Sequence, residues 1–234
     1  DFDPQYIIPW VEEAINKLSD ESYYLLGHSF GATVAAHLCT SSSRKVKKMI
    51  LLDGAYHDSK FAYEYNTKLY ELGKLSYKPF SCLEDEVNYY IDDFDNYIFD
   101  EYEQAVQTEL NNHSRNNEFI REAIEELIVE SRVGYRWHAS GKTAKKALKF
   151  QYNSQKTIEF EKTNVPVLLI YSKQPFELVE CRELQINEFR SKFDLVVKAY
   201  ENAGHMIHYD EPKLLAKDIR SFFSDDFESN SKIE

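Results

Sequence analysis

A chain of 234 residues, 43% hydrophobic and 15% aromatic, is long enough to bury a real core, as one large domain or as a domain with an insertion. A formal net charge of −12 argues against nucleic acid and against anionic membrane surfaces, because phosphate contacts need clustered Lys and Arg. No apolar run approaches the length of a membrane span.

Three cysteines, Cys39, Cys82 and Cys181, form an odd set without metal-ligand spacing. They imply no disulfide framework and no metal, which fits a reducing, cytoplasmic location. Cys39 reads as a small core residue.

In chain order, residues 4–18 carry apolar side chains at Ile7, Ile8, Trp10, Val11, Ala14, Ile15 and Leu18, a helical period. Pro9 places the start of the helix proper near itself, since proline suits a first turn. The apolar run Tyr23–Leu26 then enters Gly27-His28-Ser29-Phe30-Gly31, and a helix-forming stretch from Ala32 to about Ser41 leaves it. Strand, sharp turn and helix with a serine at the apex predict a strained Ser29 whose hydroxyl projects from the sheet. A β-carbon at Gly27 or Gly31 is expected to collide across the turn, and Ala32 keeps helix and strand close.

Lys47–Asp53 is a continuous apolar run of the kind found in buried parallel strands. Val165–Ser172 and Leu195–Tyr200 repeat it. Between Asp53 and Val165 lie over a hundred residues, far more than an ordinary crossover needs. That segment reads mostly as helix. Glu84–Gln107 is acidic and rich in Tyr and Phe, Glu118–Val133 sets Ile120, Ile124, Leu127 and Ile128 on one face, and Thr143–Phe150 is basic. After the last strand comes Ala203-Gly204-His205-Met206-Ile207-His208, then a helical pattern from Leu214 to Phe223.

A serine elbow early and a loop histidine late is the order of elements that resembles the α/β-hydrolases, especially their lid-bearing esterase, thioesterase and peptidase members. The resemblance covers about residues 5–224. It implies an α/β fold, a parallel sheet flanked by helices with a helical cap insertion. The expected division is hydrolase core over residues 1–56, cap over 57–160, and core again over 161–234. In the family several strands precede the elbow, whereas here one helix does, so the chain reads as the C-terminal part of such a fold. The elbow strand is then expected to present an apolar edge that a preceding segment or another chain covers.

The resemblance makes Ser29 the nucleophile and His205 the base. The backbone N–H of Phe30 supplies one oxyanion-hole donor, with the second expected from the preceding portion. His28 flanks the nucleophile and either touches substrate or packs; His208 is expected to pack. The acid usually follows the strand corresponding to Val165–Ser172, but Pro175 stands at its expected place. Glu177, two residues on, is the first choice, and Asp53, which ends the strand before the insertion, is the alternative. The activity implied is hydrolysis of a small or medium carboxylic ester or thioester without cofactor or metal, the partner being a small-molecule acyl substrate. A prolyl-iminopeptidase-like peptidase, a biosynthetic acyltransferase or thioesterase, and a catalytically weak binding module remain open beside it.

Overall fold

The computed structural model describes residues 3–18, 20–41, 45–113, 115, 117–157, 163–191 and 193–224. Helix α1 (Pro4–Leu18) leads into strand β1 (Tyr23–His28), helix α2 (Phe30–Ser41), strand β2 (Val46–Leu52) and helix α3 (Ser59–Glu71). Then come α4 (Leu83–Asn96), β3 (Ile98–Phe99), α5 (Tyr102–Asn111), α6 (Glu118–Glu125), β4 (Ile128–Ser131), β5 (Gly134–Trp137) and α7 (Gly141–Thr157). The chain continues through β6 (Thr163–Ser172), α8 (Val179–Phe189), β7 (Phe193–Tyr200), the short α9 (Ile207–Asp210) and α10 (Pro212–Phe223).

Two compact units result. Residues 1–79 and 150–234 form the first, and residues 80–149 the second. The sequence expectation began the insertion at residue 57, but α3 belongs with the first unit, where it packs on α8. The expected boundary after residue 160 lies outside the described residues.

In the first unit the strands run parallel in the order β1-β2-β6-β7. Alternate residues of the two central strands feed opposite faces, the period-2 geometry of a strand. Met49, Leu51, Val167 and Leu169 join a buried cluster with Ala32, Ala35, Ala36 and Cys39 of α2. Ile50, Leu52, Leu168 and Ile170 join another with Tyr200, Leu215 and Phe222. Covered on both sides, these strands read as unbroken apolar runs. Each large side chain so buried contributes roughly 2 kcal/mol of transfer free energy. The alanines of α2 let that helix lie close to the sheet.

Among the described residues β1 pairs with β2 alone, so no segment here covers its outer side. Tyr24 is 47% and Leu26 42% exposed. An open apolar groove of about 760 Å³ runs along α1, β1 and α2, lined by Tyr6, Trp10, Leu26, Phe30 and Val34.

Three sequence expectations need correction. Pro9 lies inside α1 rather than at its start; the helix runs through it with one main-chain donor fewer. Expected helix 118–133 stops at Glu125, and Ile128–Ser131 pairs with Gly134–Trp137 as a hairpin within a three-stranded antiparallel sheet of the second unit. The β-branched Ile128 and Val129 favour a strand. Gly134 permits the turn at φ 130°, where a Cβ would meet the Phe99 carbonyl oxygen at 2.4 Å. At the elbow, a Cβ on Gly27 would lie 2.3 Å from the Gly31 carbonyl oxygen, as expected, whereas one on Gly31 would meet nothing within 4 Å. Only the first glycine is sterically required.

Candidate active site

β1 ends at His28 and α2 begins at Phe30, which leaves Ser29 alone to reverse the chain. It does so at φ 53°, in the left-handed region that an L-residue enters at a cost of about 1–2 kcal/mol. Hydrogen bonds hold it there: Ser29 N–H donates to the Leu52 carbonyl at 2.9 Å, and the Ser29 carbonyl accepts from Ala32 N–H at 3.0 Å. Phe30 sits at the start of α2 with its ring against Phe150, centroids 4.9 Å apart.

The neighbouring strand ends in the same way. Asp53 follows β2 at φ 42°, its N–H donating to the Ile170 carbonyl at 2.8 Å. Gly54 then passes so close to the elbow that a Cβ there would stand 2.4 Å from the Ser29 carbonyl oxygen. The close approach of Gly54 brings the Asp53 and Ser29 turns side by side at one edge of the sheet.

His205 comes from the loop between β7 and α9. Ala203 and Ile207, both fully buried, anchor that loop, and Gly204 N–H donates to Asp210 Oδ2 at 2.8 Å. His205 Nε2 lies 2.9 Å from Ser29 Oγ, and Nδ1 lies 2.8 Å from Asp53 Oδ2. An ionised carboxylate only accepts, so Nδ1 carries the proton and Nε2 of the neutral ring accepts from the serine hydroxyl. This is the tautomer in which an imidazole can take the serine proton.

Asp53 is buried, with four donors on its two oxygens. Ser172 N–H at 3.0 Å and Tyr56 O–H at 3.2 Å reach Oδ1; Ser172 O–H at 2.9 Å and His205 Nδ1–H reach Oδ2. Burial alone pushes the carboxyl pKa up. The bonds from His205 and Ser172, with the charges of His205 and Arg182, outweigh it and hold the group below its ordinary value. For Tyr56, burial first and the Asp53 charge second push the phenol well above its usual value, so it stays a donor.

The family model for the α/β-hydrolase fold matches residues 6–212 of this chain. The chain belongs to the α/β-hydrolase fold family. Solved structures agree on the fold. One is an esterase from a marine microorganism: TM-score 0.61, 19% identity, 95% of this chain and 78% of that one covered. Another is a Bacillus megaterium epoxide hydrolase: TM-score 0.63, 14% identity, 95% and 76% covered. A thioesterase domain from the curacin biosynthetic pathway matches at TM-score 0.55 and 18% identity, with 93% and 72% covered. No curated protein matches the sequence.

Within this α/β-hydrolase, Ser29, His205 and the alternative acid Asp53 come together. The first-choice acid, Glu177, does not: it is exposed on a short 3-10 turn after Pro175, and the far nitrogen of His205 is already engaged by Asp53. The physical reason is that the β2 turn, not the β6 turn, reaches His205, while the end of β6 supplies donors. His28 points its Nε2–H at the His205 carbonyl, 2.8 Å away, with its ring 4.9 Å from those of both His205 and His208. Burial lowers its pKa, so the ring is a neutral prop for the histidine loop. The position between those rings favours the packing reading over substrate contact.

Sequence reasoning missed Tyr56, Ser172, Arg182 and Asp210. Tyr56 follows Asp53 by three positions and Asp210 follows Gly204 by six, a faint local signal. Ser172, 119 positions from Asp53, has none. Among the described residues no group of three or more His, Cys, Asp or Glu is arranged to hold a metal, and no helix is long and apolar enough to cross a membrane.

Proposed function

We propose that this chain is a serine hydrolase that cleaves a small or medium carboxylic ester or thioester through an acyl-enzyme on Ser29. The observation that carries the reading is the unbroken line of hydrogen bonds from Ser29 Oγ through the His205 ring to Asp53, at 2.9 and 2.8 Å.

In this reading His205 Nε2 takes the Ser29 proton as Oγ attacks the acyl carbonyl carbon. The Phe30 N–H, at the positive end of α2, stabilises the oxyanion. Collapse of the tetrahedral intermediate passes the proton from Nε2 to the departing alcohol or thiol. Water then attacks the acyl-enzyme and gives a proton to Nε2. The acid leaves and Ser29 recovers its proton. Asp53 holds the ring in place throughout and stabilises the imidazolium each time it forms.

The side chain of Ser29 itself favours acyl chemistry over epoxide opening. A serine oxygen that opened an epoxide would become an ether, which water does not cleave, whereas an acyl-serine ester is readily hydrolysed. The insertion as a lid, a preceding segment or another chain along the outer side of β1, and a cytoplasmic location belong to the same proposal.

A fluorophosphonate probe tests it. The full-length protein should take up one probe per chain on Ser29, and Ser29→Ala and His205→Ala should take up none. A wild-type protein that stays unlabelled, and that turns over neither p-nitrophenyl acetate nor a short acyl thioester, would leave a hydrolase-fold binding module.

A further inference from the structure

The end of β6 works for the acid of β2. Ser172 is fully buried and gives Asp53 two bonds, main-chain N–H to Oδ1 and hydroxyl to Oδ2. That hydroxyl is itself held. Arg182, from α8, places Nη1 2.7 Å from the Ser172 carbonyl, 2.9 Å from the Gln174 carbonyl and 3.3 Å from Ser172 Oγ. An arginine N–H only donates. The two Nη1 protons serve the two carbonyls, with the longer contact to Ser172 Oγ shared between them, and the Ser172 hydroxyl proton goes to Asp53 Oδ2 at 2.9 Å rather than to the Gln174 carbonyl at 3.5 Å.

We infer that Ser172, backed by Arg182, is a positioning residue that fixes the plane of the Asp53 carboxylate and so aims His205 at Ser29. The inference rests on the acyl-enzyme reading above and deepens it.

A carboxylate offers about four acceptor sites. Here Ser172 fills two, Tyr56 one and His205 the fourth. With three sites taken by Ser172 and Tyr56, the fourth, on Oδ2, is left for Nδ1 of His205. Charge assistance from Arg182 polarises the Ser172 hydroxyl and strengthens its bond to the anion. Without that hydroxyl, Oδ2 keeps only His205 as a donor inside a buried site, and the carboxylate plane is held by the two bonds to Oδ1 alone. An imidazole is then held in the right tautomer for only part of the time. That lowers the rate of proton transfer and leaves substrate affinity nearly unchanged.

The experiment uses the full-length protein with p-nitrophenyl acetate. Ser172→Ala should lower kcat about 10- to 100-fold with KM within about twofold, by the loss of one buried charge-assisted bond. Ser172→Thr, which keeps the hydroxyl, should recover most of the activity. Arg182→Gln should fall between them. In the proton NMR spectrum, the low-field Nδ1–H signal of His205 should be present in the wild type and in Ser172→Thr and lost in Ser172→Ala. Unchanged kcat in a folded Ser172→Ala overturns the inference. So does a loss that threonine fails to rescue while the Nδ1–H signal persists, because the serine would then be merely structural. Ser29→Ala and Asp53→Asn run alongside: if they retain full turnover, the acyl-enzyme reading itself falls, whereas if they are inactive and Ser172→Ala is not, only the positioning role is lost.

Discussion

Asp53 and His205, 152 positions apart in sequence, meet through a 2.8 Å bond between Oδ2 and Nδ1. The carboxylate arrives from the end of β2, not from the loop after β6. It follows that Asp53→Asn should lower kcat for ester hydrolysis by about 10³–10⁴, since an amide there favours the wrong tautomer. Glu177→Gln should change kcat by less than about threefold, as expected of an exposed side chain outside the hydrogen-bonded line. Steady-state kinetics on both variants checks the assignment, and the reverse ranking would restore Glu177 as the acid.

His28 holds the histidine loop through its bond to the His205 carbonyl. His28→Phe keeps an aromatic ring between His205 and His208 but removes the donor. The expected outcome is a drop in kcat of up to about tenfold with little change in KM, in line with the loss of one hydrogen bond. A large rise in KM with unchanged kcat would instead mean that His28 touches substrate.

The two elbow glycines should respond in opposite ways. Gly27→Ala forces a Cβ to within 2.3 Å of a backbone oxygen that cannot move without unseating Ser29. A loss of at least about 3 kcal/mol is expected, read from denaturant midpoints. Gly31→Ala meets no atom within 4 Å and lies within α2. It should be neutral or stabilising by up to about 1 kcal/mol.

His37 is buried on α2, and burial pushes its pKa down to about 4. An unfolded histidine titrates near 6.5, so on acidification the unfolded chain takes the proton first. Stability tied to this group is complete above about pH 6.5 and is lost as pH falls towards 4. The full loss is on the order of 3 kcal/mol. Unfolding free energies of wild type and His37→Gln, measured from pH 7 to pH 4, should converge or cross by that amount. Parallel curves would show that His37 charges freely in the folded state.

Much of the molecule was legible in the residues. The four parallel strands were, because β2 and β6 are buried on both faces and so carry unbroken apolar runs such as Met49–Leu52 and Val167–Ile170. So was the elbow, because a serine turn between strand and helix needs Gly27, and that need is local. The small antiparallel sheet was not, because Ile120, Ile124 and Ile128 fit a helical period even though the chain leaves the helix after Glu125. At that point pairing with Gly134–Trp137 outweighs a four-residue spacing.

The chain by itself determined its family, the elbow that carries Ser29 and the late loop that carries His205, since each is announced by neighbours within a few positions. Tertiary structure decided which carboxylate meets His205 and what surrounds it. Asp53, Ser172 and Arg182 carry no mutual signal in the sequence; the register of β2 beside β6 and the docking of α8 bring them together. Which carboxylate faces His205 is settled by where two strand ends stop in space, a matter of a few ångströms that no spacing along the chain records.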